Sequence, residues 1–85
     1  MFKFISNPEV CEMFGYSQST LNRQEKLGLM PPSINISSQR KVKIKSEVKE
    51  IQKARILGKD DETVKELVKH LVEKRAELAT AELSQ

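Results

Sequence analysis

Between Ser17 and Gly28, the side chains of Gln18, Ser19, Thr20, Asn22, Arg23 and Lys26 offer amides, hydroxyls and cations on the polar faces of one short helix. Asn and Gln amides can pair with the edge of adenine, a guanidinium matches the two acceptors of guanine, and Ser or Lys suits phosphate. A merely solvated helix face would look the same, so the next segment decides how this one is read. There Ile34-Asn35-Ile36 and Val42-Lys43-Ile44 alternate apolar with polar, which predicts two strands. The stretch from Ser37 to Lys41 between them forms a polar, basic hairpin tip. Ser38, Gln39, Arg40, Lys41 and Lys43 are therefore the expected contacts of this hairpin, set against phosphates or in a minor groove beside the helix.

Other chemistry finds little support. His70 is the single histidine and lies beside an apolar stripe, with no cysteine or second histidine spaced to share a metal ion. General-base work needs a partner held within hydrogen-bond reach, and the sequence offers none. Cys11 is the lone cysteine and is expected to fill space in the core. The glycines Gly15, Gly28 and Gly58 each follow a helical run and read as helix stops, leaving no phosphate-cradling loop. No enzyme activity, cofactor or metal is expected.

The elements that position these residues follow from caps and periodicity. Ser6-Asn7-Pro8-Glu9 reads as a helix start with proline in the first turn, and Gly15 ends that helix at Phe14, with Val10, Met13 and Phe14 inward. Ser17 caps a second helix from Gln18 to about Leu27, with Leu21 and Leu27 facing the core, and Pro31-Pro32 blocks its extension. Ser46 is expected to cap a third helix with Val48, Ile51 and Ile56 or Leu57 inward. Asp60 or Asp61 should cap a fourth, whose stripe Val64, Leu67, Val68, Leu71, Val72 runs on to Leu78 and Ala79. Phe2-Lys3-Phe4-Ile5 alternates as well, ahead of the first helix.

Charge is distributed in keeping with this layout. Residues 18–59 carry ten Lys and Arg against three Asp and Glu, whereas residues 60–85 carry four against seven. A basic middle and an acidic end suit a polyanion-binding face on one side of the fold, with the end pointing away. Neither a membrane-spanning run nor an export signal is visible, so a cytoplasmic, nucleoid-associated location is expected.

The run Phe14-Gly15-Tyr16-Ser17-Gln18-Ser19-Thr20-Leu21-Asn22-Arg23-Gln24-Glu25-Lys26-Leu27-Gly28-Leu29-Met30-Pro31-Pro32 resembles the first half of a MerR-type DNA-binding domain. That family has Gly-x-Ser before a Thr-Leu-x-x-x-Glu helix ending in Gly-Leu-x-Pro. Ala54-Arg55-Ile56-Leu57-Gly58 and the acid-capped helix after it resemble the family's later helices. The basic hairpin leading into Ser46-Glu47-Val48 is closer to short AlpA-like and excisionase-like proteins. Asn22 and Gln24 stand where MerR regulators usually carry aromatic residues, and no effector domain follows, so no small-molecule effector is expected.

The resemblance implies a mainly α winged helix-turn-helix with a small β-hairpin wing and a longer C-terminal helix. It implies sequence-specific double-stranded DNA binding, as a transcriptional regulator or an excision (recombination directionality) factor of a phage or mobile element. The alternative is a protein-interaction or DNA-packaging and anchoring adaptor whose C-terminal helix binds a partner. Residues 1–72 are expected to form the DNA-binding domain. Residues 73–85 extend the last helix as a self-association segment, giving a homodimer or copies side by side on DNA. Leu71, Arg75, Leu78 and Glu82 are its expected contacts, with Arg75 and Glu82 pairing across an antiparallel partner.

Overall fold

In the computed structural model, residues 3–83 are described, with side chains through Thr80. The chain is mainly helical, in the order β1 (Phe4–Ser6), α1 (Asn7–Phe14), α2 (Gln18–Lys26), β2 (Ile34–Ser37), β3 (Arg40–Ile44), α3 (Lys45–Ile56) and α4 (Asp61–Leu83). The strands form one antiparallel sheet in the order β1-β3-β2.

The α1–α2 unit is held by local chemistry at each end. The Ser6 hydroxyl accepts from the Glu9 amide at 3.4 Å, and Gly15 closes α1 at φ 69°, a left-handed conformation that costs any other residue about 1–2 kcal/mol. The chain is thereby turned at Gly15 and Tyr16 into Ser17, whose hydroxyl accepts from the Thr20 amide at 3.1 Å and starts α2. At the far end the Leu29 amide reaches back to the Gln24 carbonyl at 2.9 Å around Gly28, whose φ is 77°. The helix stops there and the chain leaves through Pro31-Pro32.

The core gathers Ile5, Val10, Leu21, Leu29, Met30, Val48, Ile51, Ala54, Val64 and Val68, so every helix and strand β1 contribute to it. Several inward residues differ from expectation. Leu27 is 52% exposed because the turn at Gly28 carries the chain round so that Leu29 and Met30 take the buried positions instead. Ile56 and Leu57 stand out at the end of α3, 79% and 63% exposed, and Ala54 is the last residue of that helix to reach the core. Cys11 packs against this core as expected, but half-buried at its margin.

Strand β1 was visible in the sequence only as an alternation. It pairs with β3 in the register Phe4↔Ile44, Ile5↔Lys43 and Ser6↔Val42, which places β3 in the middle of the sheet. The Lys45 amide continues this ladder to the Lys3 carbonyl at 2.8 Å, so the sheet itself fixes where α3 begins. That is why Ser46 is not the cap. Ile44 occupies the cap position, no side chain caps the helix, and Ser46 lies inside its first turn. Asp60 does cap α4, its Oδ1 accepting from the Thr63 amide at 2.9 Å. Hydrogen bonding from Thr63, its side chain first and its amide second, holds the Asp60 carboxyl below the usual carboxylate range. None of the described helices is long and apolar enough to cross a membrane.

Candidate nucleic-acid interface

Helix α2 presents Gln18, Ser19, Asn22, Arg23 and Lys26 to solvent, and Ser19, Asn22, Arg23 and Lys26 line one shallow groove along it. Thr20 differs from the others. Its hydroxyl is 3.0 Å from Ser17 Oγ and half-buried, so it belongs to the helix start. Gln18 Nε2 donates to Asn22 Oδ1 at 3.1 Å, one turn apart on the same face. With its oxygen engaged by Gln18, Asn22 keeps both Nδ2 hydrogens and the second oxygen lone pair available.

Beside α2 lies a cleft of about 400 Å³ lined by Asn7, Gln18, Asn22, Glu25, Ser33, Asn35 and Lys41. It is the seam between the helix and the β2–β3 hairpin, and every side chain in it is polar. Register explains which hairpin residues enter. Asn35 pairs with Lys41, and a bulge in β2 then sets Ser37 opposite Arg40. Because side chains alternate along a strand, Lys41 faces the cleft while Arg40 points to the other side of the sheet. Ser38 and Gln39 form the exposed turn. The two adjacent cations at the hairpin tip are thus divided between two faces.

Lys43 corrects the expected hairpin contacts most sharply. It follows the same alternation as Lys41, but one step further in it is fully buried. Its ammonium is bonded to Glu25 Oε1, donates to the Pro31 carbonyl at 2.9 Å and donates to Ser33 Oγ at 3.1 Å. Burial pushes the Lys43 ammonium below the usual lysine range, against the hydrogen bond and charge of Glu25, which raise it. The Ser33 hydroxyl donates to Glu25 Oε1 at 3.0 Å and accepts from Asn7 Nδ2 at 3.2 Å. Lys43 therefore ties the hairpin to α2, and its charge is spent inside the protein. The apolar-polar alternation could not reveal this, because it assigns a face without saying what covers that face.

On α4, Arg75 is likewise turned inward. Its Nε donates to Glu47 Oε2 at 2.9 Å, and its Nη2 donates to Glu47 Oε1 at 2.7 Å and to the Pro32 carbonyl at 3.0 Å. It is not free to pair across a partner helix as expected. Leu71 packs against the core, Leu78 is 43% exposed, and the Glu82 side chain lies outside the described residues. His70 is exposed. Sequence reasoning missed Glu25, Ser33, Asn7 and Glu47, the groups that hold the interface in shape.

No family model, curated protein or solved structure matches the chain.

Proposed function

We propose that this chain is a sequence-specific double-stranded DNA-binding protein on a MerR-like winged helix-turn-helix scaffold, of the short AlpA-like and excisionase-like type. The observation that carries this reading is the continuous polar surface on which α2 and the hairpin meet: exposed Asn22 and Arg23 share one groove, and Asn22 also lines the cleft with Lys41. In this reading α2 lies in the major groove. Asn22 pairs with an adenine, its Oδ1 still able to accept from N6 while Nδ2 donates to N7, and Arg23 takes a guanine. Ser19 and Lys26 contact phosphates. Lys41 grips the backbone strand that passes between α2 and the hairpin, and Arg40, Ser38 and Gln39 reach the next stretch of backbone.

The role is regulation of transcription or of excision in a phage or mobile element, as a binding protein rather than an enzyme, working in the cytoplasm at the nucleoid. Copies associate through the exposed part of α4 around Val72 and Leu78, or side by side on DNA. Selection of bound sequences from a random duplex library tests this reading. A short preferred sequence should emerge, and Asn22→Ala or Arg23→Ala should relax it at one or two positions and cost about 1–3 kcal/mol of binding. A selection yielding no preferred sequence would refute sequence-specific reading.

A further inference from the structure

One buried and one half-buried cation, from different elements, grip neighbouring carbonyls of one short connection. Lys43 of β3 donates to the Pro31 carbonyl at 2.9 Å, and Arg75 of α4 donates to the Pro32 carbonyl at 3.0 Å. Each cation is also bonded to a carboxylate, Lys43 to Glu25 in the last turns of α2 and Arg75 to Glu47 in the first turn of α3. Residues 31–33 join α2 to β2, so whatever fixes them fixes the angle between the helix and the hairpin. Both residues that carry these carbonyls are prolines, whose φ is locked. With φ locked at both residues, ψ is the one soft torsion left between the two carbonyls, so the connection has little freedom to absorb a displacement.

The Arg75–Glu47 pair is built to set a position. Glu47 is 4% exposed on its side chain and Arg75 20%, and the guanidinium holds the carboxylate through two parallel bonds, an arrangement with little angular freedom. Arg75 lies on α4 about two turns past Val68, the last buried core residue among that helix's described side chains. Beyond Val68 and Leu71, Arg75 links α4 to Glu47 of α3 and to the α2–β2 connection.

We propose that Arg75 is a positioning residue for the DNA-reading surface: through Pro32, Pro31 and Lys43–Glu25 it sets the width of the cleft shared by α2 and the hairpin. This rests on the proposed DNA-binding function. Arg75 touches no DNA itself. Its removal leaves Asn22, Arg23, Arg40 and Lys41 in place but lets the two sides of the cleft move relative to one another, which penalises a matched duplex more than a random one.

The experiment compares the full chain with its Arg75→Met variant, which keeps the aliphatic stem and removes the fork. Affinity is measured for the selected duplex and for a random duplex, and the side-chain amide of Asn7 and the backbone amides of Ser33 and Glu25 are followed by NMR in the free protein. The variant should lose roughly threefold to tenfold in the ratio of selected to random affinity, the range expected for coupling through a packed network. Random-duplex affinity should be nearly unchanged, and the three NMR signals should move. An unchanged ratio in a folded variant overturns the proposal. Should the wild type show no duplex preference, the DNA-binding reading fails by itself, and the NMR signals then decide the positioning role: unmoved signals overturn it. If Arg75→Met does not fold, Arg75→Lys keeps the charge without the fork and carries the same comparison.

Discussion

Lys43 and Arg75 spend their charges inside the molecule, and the consequences are measurable one side chain at a time. Removing one member of a buried ion pair leaves the other uncompensated at a cost of about 3–5 kcal/mol, so Lys43→Met should lower stability toward the low end of that range, Glu25 being partly solvated. Urea denaturation checks this. The pH dependence has a definite sign. Folded Lys43 releases its proton below the usual lysine value of 10.5, whereas the unfolded chain keeps the proton up to that value. Between the two the unfolded state binds more protons, so stability contributed by Lys43 rises with pH. The gap in denaturation midpoint between wild type and Lys43→Met should therefore widen as pH climbs from neutral toward the lysine range, and a shrinking gap would contradict the assignment. Arg40 and Lys41 separate by a different readout. Each substitution to alanine should reduce the slope of log affinity against log salt by about 0.9, the contribution of one phosphate contact. Only Lys41→Ala should also alter the selected sequence, because Lys41 shares a cleft with Asn22 and Arg40 does not.

At the level of elements, the caps give the cleanest contrasts. Ser17→Ala removes the acceptor for the Thr20 amide and should cost about 1 kcal/mol, while Ser46→Ala should stay within about 0.5 kcal/mol because Ser46 caps nothing. Thermal melts of the two variants check the pair. Gly15→Ala should cost about 1–2 kcal/mol through its left-handed backbone alone, since a Cβ there would meet no neighbour within 4 Å. Short-range signals such as these were readable from the sequence: the stops at Gly15 and Gly28, the starts at Ser6, Ser17 and Asp60, and the two hairpin strands all lie within a residue or two of their expected places. What the sequence withheld depends on partners far along the chain. The start of α3 is set by Lys3, forty-two residues before it, through the β1–β3 ladder. Lys43 and Arg75 look like surface cations until Glu25 and Glu47 are brought to them by the fold, and Leu27 looks inward until the turn at Gly28 redirects the chain.

Across the whole molecule, α4 runs from the core at Val64 and Val68 to exposed Leu78, and between them Arg75 ties the helix to Glu47. Ending the chain at Val72 would strip Glu47 of its guanidinium and should destabilise the fold by about 3–5 kcal/mol, whereas ending it after Ala76 should leave stability nearly intact. Comparing the two truncations by urea denaturation checks where the body ends. Sedimentation of the longer one against the full chain then reports whether the outer turns support association between copies. The basic share of the chain, concentrated in residues 18–59, lies in the same segment as α2 and the hairpin, so association with a duplex should depend on salt as well as on sequence. The most direct test of the account is titration of the full chain with its selected duplex and with a random duplex over a series of salt concentrations. Both affinities should fall steeply as salt rises, the selected duplex should stay tighter at every concentration, and the Arg40→Ala, Lys41→Ala double variant should flatten both slopes by about 1.8. Equal affinity for the two duplexes, or binding that ignores salt, would contradict the account.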